Sequence, residues 1–334
     1  MKYGITLGYV SKLKAFETLK GIEFVNNELK NILKKEFNLI EVSSAVVADK
    51  IVWLNDDSQQ TKRIIDFDNK SIEGYGEVLY SNNKWRRHFL YENNLINDDE
   101  GIITIFSVID RDVKVDNTSS ISYEELGIEI VKNTYEKSVI EEMLTKIFNI
   151  VVETDKKVCL KYKNLENNHF GNSLTFITYK KLKKLYPLIS FKERLNSFAR
   201  DNGTFVIHDY IENTLNQDQL NQFSSDVFDF KTYSRIYYYN KSCEKALSFG
   251  YASYQVDKEI LKNQSNILKE KQKAETDYNK LIKSNSLPLT LSCGVYINRL
   301  MMGFLEKQHI SEVHSTIWNH DFVKYCKKNK IKIL

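Results

Sequence analysis

Apolar residues recur at helical spacing in three long parts of the chain. Residues 15–37 carry an apolar stripe from Phe16 and Leu19 to Leu33 at intervals of three or four, which predicts an amphipathic helix. Residues 135–150 repeat this pattern. Residues 258–284 are rich in Lys, Glu and Gln between spaced apolar positions, so we expect a single long helix there.

Short apolar runs between these segments predict strands, of which residues 101–111 form the clearest, nearly continuous run. Other expected strands are 39–42, 62–68, 76–81, 173–179, 204–210, 235–239, 249–256 and 289–293, and shorter helices are expected at 83–91, 180–186, 190–201 and 296–307. This order favours one α+β domain over residues 1–334, with a mixed, mostly antiparallel sheet flanked by helices. The helix–strand–helix–strand stretches leave a mixed α/β arrangement open.

The charge and cysteine content exclude several classes of protein. The net charge of +4 over 334 residues is a weak footprint for nucleic acid or an anionic membrane. No apolar run has the length of a membrane span. The nearest cysteines, Cys293 and Cys326, are 33 residues apart, and the histidines show no metal-binding spacing. We therefore expect a cytoplasmic protein with reduced thiols and no metal site built on His or Cys.

Three basic segments are candidates for anion binding. Arg299 lies in the first turns of the helix of a strand–Gly–helix unit, where a guanidinium can lie over a phosphate, although a surface arginine at a helix start is the commoner case. Arg111 ends the buried run and either faces a site or pairs with its flanking aspartates. Residues 84–87 read Lys-Trp-Arg-Arg and form either an anion clamp or a solvated helix face. His208 precedes an Asp, but no nucleophile elbow accompanies it.

Taken together, these segments resemble asparagine synthetase A, the ammonia-dependent aspartate–ammonia ligase family, from about residue 22 to residue 326. The matching pieces follow the family's order. They are Leu39-Ile40-Glu41-Val42, Lys84-Trp85-Arg86-Arg87, Glu100-Gly101 with Arg111-Asp112, Gly294 with Arg299 and Leu300, and His309-Ile310-Ser311-Glu312-Val313 with Trp318.

The resemblance implies a fold, a reaction and partners. The fold would be the catalytic fold of class II aminoacyl-tRNA synthetases, forming a homodimer through residues 15–45. The reaction would use ATP and Mg²⁺ to convert an amino-acid carboxylate to an adenylate, which ammonia then attacks. The expected partner is therefore a small amino acid or other carboxylate, and nucleic acid is not expected.

The resemblance also implies site residues. The implied catalytic residues are Arg111, Arg299 and Lys84. The implied ATP-binding residues are Arg111, Asp112, Gly294 and Arg299. The implied substrate-binding residues are Lys84, Glu125 and Ser248. No residue is assigned to the metal, and Asp226 or Asp229 are the candidates.

Several positions depart from the family pattern. The loop where the family has an Asp for the substrate amine is aligned with residues 51–54, Ile-Val-Trp-Leu. A Gln and an Asp of the family become Glu125 and Gly127. The metal-binding Glu becomes Ser248, a following Arg becomes Gln255, and Tyr296 replaces a Gly of the nucleotide loop. A lost metal ligand commonly costs several kcal/mol of transition-state stabilisation.

These departures leave three functional hypotheses. The first is an ATP-dependent ligase of this type that acts on a different acid or amine. The alternative is a catalytically inactive homologue that serves as a binding or regulatory protein. A third is an RNA-binding paralogue, indicated by basic segments such as residues 181–184, but the small net charge argues against it.

Overall fold

An eight-stranded sheet forms the centre of the molecule, and a three-stranded sheet lies beside it. The computed structural model describes residues 2–59, 61–71, 73–211, 220, 222–270 and 275–334. The strands are β1 (Ile40–Glu41), β2 (Val47–Asp49), β3 (Asp66–Asp68), β4 (Tyr75–Val78), β5 (Gly101–Ile109), β6 (Ser122–Val131), β7 (Leu174–Thr178), β8 (Thr204–His208), β9 (Ser234–Asn240), β10 (Lys245–Tyr254) and β11 (Thr290–Tyr296). The large sheet has the order β1-β5-β6-β11-β10-β9-β8-β7, and the small sheet has the order β2-β4-β3.

The large sheet is mixed, as the sequence predicts. Its two outer pairs, β1 with β5 and β7 with β8, are parallel, and every pair between them is antiparallel. The helices are α1 (Ala15–Glu36), α2 (Asn83–Glu92), α3 (Lys137–Lys161), α4 (Tyr179–Leu185), α5 (Phe191–Asn202), α6 (Lys258–Ile267), α7 (Asp277–Lys283), α8 (Ile297–Phe304) and α9 (His320–Lys328). Within the described ranges, no helix has both the length and the hydrophobicity needed to cross a lipid bilayer.

The main core lies between one face of the large sheet and the helices α1, α3 and α8. Alternate residues of β6 and β11, such as Ile128 and Cys293, point into this core and are fully buried. Because successive side chains of a strand point to opposite faces, the intervening residues face the other side of the sheet. That other face carries polar groups and is where the candidate site lies.

The first helix forms where predicted, but its buried face differs in part. Val25, Leu29 and Leu33 are buried as expected. Phe16 and Leu19, which were predicted to begin the stripe, are 71% and 49% exposed. The buried stripe instead starts with Thr18 and Gly21, and the Leu305 side chain, just after α8, packs against Gly21.

The expectation of one helix over residues 258–284 is wrong. Two short helices, α6 and α7, occupy its ends, and residues 271–274 lie outside the described chain. Lys269 has a φ of +53°, which ends helical geometry after α6. Thr276 then caps α7 by accepting a hydrogen bond from the Asn279 backbone N–H. The polar amphipathic pattern is shared by both helices and does not reveal the break.

Candidate functional site

The polar face of the large sheet has a floor of two facing glycines. Gly127 of β6 and Gly294 of β11 are register partners. A Cβ at Gly127 would lie 2.1 Å from a terminal nitrogen of Arg86, and a Cβ at Gly294 would lie 2.2 Å from the Tyr251 ring. Both positions therefore require glycine, because the Arg86 and Tyr251 side chains lie directly over them.

Arg86 is the centre of a buried polar network above this floor. It is fully buried, and its guanidinium contacts Glu129 at 3.3 Å and Glu125 at 3.5 Å. It also donates to Asn83 Oδ1 at 2.6 Å and Ser292 Oγ at 2.9 Å. Burial raises the pKa of both glutamates, and the charge of Arg86 opposes that shift. Arg86 is thus committed to the protein's own carboxylates.

Lys84 is also committed to a buried ion pair. Its Nζ lies 2.6 Å from Asp226 Oδ2, and neither side chain is exposed. Asp226 accepts a second hydrogen bond from Ser224 Oγ at 2.6 Å. For Lys84 to contact a substrate, this pair would have to open.

A cavity of about 180 Å³ opens beside this network, and we call it the acidic-aromatic cavity. Three carboxylates line it, from Asp56, Asp110 and Glu125. Lys62 is the one basic side chain among its described lining residues. Its aromatic wall includes Tyr80, Tyr123, Phe228, Tyr233, Tyr251 and Tyr296.

Asp56, like Asp110, lines this cavity without an ion-pair partner among the described residues. Its Oδ2 accepts from Ser81 Oγ at 2.5 Å and from Asn83 Nδ2 at 2.6 Å. Its Oδ1 has no hydrogen-bond partner, and no cation lies within ion-pair distance among the described residues. Burial raises the pKa of Asp56, and the charge of Lys84 opposes that rise. An unpaired buried carboxylate is costly, so a bound cation would stabilise it.

A second cavity of about 200 Å³, which we call the arginine cavity, lies on the far side of Tyr123 and Tyr296. Arg299 and Arg235 line it. Arg299 donates to the Thr118 and Ser248 carbonyls at 3.4 and 3.2 Å and forms no ion pair with a described carboxylate.

The sequence pattern predicts Arg299 as a site residue but does not predict Arg235. Arg235 contacts the Tyr210 hydroxyl at 3.3 Å, its Nε has no hydrogen-bond partner, and it also forms no ion pair in the described chain. Two guanidinium groups without carboxylate partners favour an anion here, although Asp110 and Glu124 also line the cavity.

Two tyrosines form the wall between these cavities. The Tyr123 and Tyr296 rings meet edge to face at a centroid distance of 6.0 Å, and both line both cavities. A third cavity of about 350 Å³ contains Arg111 and Asp112 and shares Asp110 with the other two. Thus Arg111 and Arg299 line two different cavities, and neither is among the described lining residues of the acidic-aromatic cavity.

The comparisons with known proteins agree on one family. The family model described as aspartate-ammonia ligase matches residues 16–330. The chain belongs to the aspartate–ammonia ligase family. An aspartate–ammonia ligase of Clostridium tetani is 28% identical over 329 residues, covering 98% of this chain and 96% of that protein. One of Fusobacterium nucleatum is 27% identical over 330 residues, covering 98% and 100%.

Solved structures show the same fold. An asparaginyl-tRNA synthetase from Pyrococcus horikoshii complexed with asparaginyl-adenylate has a TM-score of 0.67 at 11% identity, covering 90% of this chain and 68% of that chain. The chain therefore has the class II aminoacyl-tRNA synthetase fold, and the prediction of family and fold is confirmed.

The structure places the family-derived site residues at different depths. Arg299 lines the arginine cavity and Glu125 the acidic-aromatic cavity. Gly294 lies beneath Tyr251. Ser248 lines neither cavity, but its carbonyl accepts from Arg299. The roles assigned to these residues stay predictions.

Three further members of the predicted set are held by internal contacts. Asp112 is exposed and accepts a hydrogen bond from Arg63 Nε at 2.7 Å, so its partner is Arg63 and not the neighbouring Arg111. Asp229 is buried and accepts from the Tyr135 hydroxyl and from Lys231 N at 3.0 Å. Asp226 is the partner of Lys84. Neither Asp226 nor Asp229 belongs to a group of three possible metal ligands in the described ranges.

Sequence reasoning missed two residues of the site. Asp56 lies two residues beyond the loop at 51–54 that aligns with the family's acidic residue. The Asn-Asp-Asp run at 55–57 is the sequence signal that could have identified it. Arg235 begins an aromatic strand, and nothing in its local pattern points to a cavity. The structure also brings together Asp155, Cys159 and His169, away from these cavities.

Proposed function

We propose that the protein is an ATP-dependent ligase that activates an amine-bearing carboxylic acid other than aspartate and transfers it to an amine. The observation that carries this proposal is the pair of adjoining cavities. One has two arginines without carboxylate partners, and the other has a carboxylate, Asp56, without a cationic partner. Membership of the aspartate–ammonia ligase family supports the same class of reaction.

The arginine cavity fits the phosphates of a nucleotide. Arg235 and Arg299 both line this cavity, and neither forms an ion pair with a described carboxylate, so their guanidinium groups would face phosphate oxygens. Bound ATP would supply the adenylyl group that makes the acid's carboxyl reactive. Mg²⁺ commonly binds one or two carboxylates together with phosphate oxygens, and Asp110 and Glu124 both line this cavity.

The acidic-aromatic cavity fits the acid to be activated, but not aspartate. Aspartate brings a second carboxylate, which needs a cation at the inner wall. Lys84 and Arg86 are the cations there, and both are already paired with buried carboxylates. Moving a further unpaired carboxylate into this wall would be strongly unfavourable. Asp56 lines the cavity without an ion-pair partner, so we assign it to the amine of the substrate.

One observation favours a second function, the catalytically inactive homologue. Tyr296 and Tyr123 stand between the two cavities, and Tyr251 covers Gly294. If this wall does not open, a nucleotide phosphate and an acid cannot meet. The protein would then bind a ligand in one cavity without turnover.

Titration of the purified protein with Mg–ATP tests the proposal. We expect heat of binding that is lost in Arg299→Ala and retained in Arg200→Ala, an exposed arginine on α5. Pyrophosphate release is then measured with a panel of amine-bearing acids. Absence of ATP binding, or release with aspartate as the best acid, would contradict the proposal.

Other features stay proposals. The exposed Phe16 and Leu19 support a homodimer through residues 15–45. The single domain over residues 1–334 and the cytoplasmic location likewise remain predictions.

A further inference from the structure

Three possible metal ligands meet near the end of α3, and we call them the Asp-Cys-His cluster. Asp155 and Cys159 are four residues apart on α3, so they share one face of the helix, and His169 follows in the loop that leads to β7. Asp155 Oδ1 lies 2.6 Å from His169 Nδ1 and 3.9 Å from Cys159 Sγ. One ligand atom from each residue lies within 4.8 Å of the other two.

Neighbouring groups orient two of these ligands. Asp155 Oδ2 accepts from the His169 backbone N–H at 2.9 Å, which leaves Oδ1 directed at the imidazole and the thiol. His169 Nε2 lies 3.1 Å from Glu306 Oε1. An ionised carboxylate only accepts hydrogen bonds, so Nε2 carries a proton and Nδ1 is the nitrogen that can bind a metal. Metal-bound histidines commonly donate their other N–H to a carboxylate in this way.

A divalent cation fits the charge of the cluster. Without a metal, both ring nitrogens of His169 face carboxylate oxygens, so each carries a proton, and Cys159 keeps its thiol proton. A metal ion would replace the proton on His169 Nδ1 and the proton on Cys159 Sγ, and both protons would pass to the buffer. This exchange leaves the net charge unchanged, so it adds no uncompensated charge to a buried place.

The distances need little adjustment. A tetrahedral zinc ion holds its N and O ligand atoms about 3.3 Å apart and its S and O ligand atoms about 3.5 Å apart. The Asp155 Oδ1 distances are 2.6 Å to His169 Nδ1 and 3.9 Å to Cys159 Sγ. Each pair of atoms would therefore move by about 0.7 Å or less when the metal replaces the protons.

We propose that the Asp-Cys-His cluster binds one zinc ion through Asp155, Cys159 and His169, with Glu306 holding the imidazole and water in the fourth position. A thiolate favours zinc over Mg²⁺ or Ca²⁺, which prefer oxygen ligands. The ion would fasten the loop after α3 to the helix. The sequence predicts no metal site on His or Cys because positions 155, 159 and 169 match no compact motif, and only the fold of this loop brings them together.

A cavity of about 330 Å³ gives access to the cluster. His169, Glu166 and Glu306 line it, whereas Asp155 and Cys159 are not among its described lining residues, so the ion would reach them past His169. Lys12 also lines the cavity, but its charge is neutralised by ion pairs with Glu166 and Glu306. No member of the cluster is a described lining residue of the acidic-aromatic or arginine cavity, so this site is independent of the proposed ligase activity.

Co²⁺ titration of the full chain, stripped of metal with EDTA and dialysed, tests the proposal. A thiolate ligand gives Co²⁺ an intense charge-transfer absorption in the near ultraviolet, and zinc itself has none. We expect this band to saturate at one Co²⁺ per chain and to disappear when excess Zn²⁺ is added. Zn²⁺ should also raise the midpoint of thermal unfolding, and EDTA should reverse that rise.

Variants identify the ligands. Cys159→Ser should lose the band and the zinc-dependent rise in the unfolding midpoint. Asp155→Asn and Glu306→Gln keep the thiol, so each should retain the band but need at least tenfold more Co²⁺ to reach it. Cys243→Ser is the matched control, because Cys243 is a buried thiol that lines the same cavity and lies outside the cluster. It should behave as the unchanged protein does.

Three results would each overturn the proposal. They are the absence of a charge-transfer band, a band that survives in Cys159→Ser, and a band that is lost in Cys243→Ser. In the first case, Asp155, His169 and Glu306 would form a hydrogen-bonded array that only holds the loop. Neither ATP nor an acid substrate enters these measurements, so their outcome does not depend on whether the ligase proposal holds.

Discussion

Replacing Lys84 by Met should destabilise the fold strongly. The change leaves Asp226 fully buried without its cation, which lies 2.6 Å away in the unchanged protein. Removing one partner of such a pair typically costs about 3–5 kcal/mol, because the remaining charge stays out of water. Ser224 still donates to Asp226 at 2.6 Å and offsets part of this cost. We therefore expect a loss of about 3 kcal/mol in the free energy of unfolding.

Urea-induced unfolding followed by tryptophan fluorescence measures this loss. The double variant Lys84→Met with Asp226→Asn removes both charges and should recover at least half of the lost stability, as a double-mutant cycle would show. Lys262→Met, an exposed lysine on α6, is the matched control and should change stability little. A Lys84→Met variant within about 1 kcal/mol of the unchanged protein would refute the reasoning and leave Lys84 available to a substrate.

Two further predictions concern the rest of the molecule. Burial disfavours a charged His169, but hydrogen bonds to Asp155 and Glu306 outweigh this and raise its pKa to about 9. The resulting stabilisation, about 3 kcal/mol at most, is complete below the unfolded pKa of about 6.5 and lost as the pH rises through about 9. Unfolding midpoints at pH 6.5 and pH 10 should therefore differ more in the unchanged protein than in His169→Gln, and equal differences would contradict this. Gly294→Ala should lower stability by about 1–3 kcal/mol through its clash with Tyr251, and Tyr251→Ala in the same chain should relieve part of that cost in thermal unfolding.

Much of the fold is predictable from local pattern. The continuous apolar run at 101–111 predicts a buried strand, and β5 occupies Gly101–Ile109. The next strand, β6, escapes this reasoning because Glu125 and Glu129 interrupt its apolar pattern. Both glutamates are buried because Arg86 lies against them, and a partner about forty residues away is invisible to a local pattern.

The candidate site is less predictable than the fold. The family pattern points to Arg299 and Glu125, and both do line cavities. The family pattern assigns Lys84 to the substrate and Asp226 to the metal, and it does not indicate that the two residues pair with each other. Such pairing depends on how two distant segments meet, so it follows from the tertiary structure and not from either segment.

The covered glycine floor restricts the order in which this protein can change. While Tyr251 remains over Gly294, any larger residue at position 294 meets the ring, and Gly127 is held in the same way by Arg86. A lineage that began to use this floor for another ligand would first have to shrink Tyr251 or Arg86. The effect of a substitution at either glycine is therefore expected to depend on which residue covers it, so the order in which substitutions arise matters.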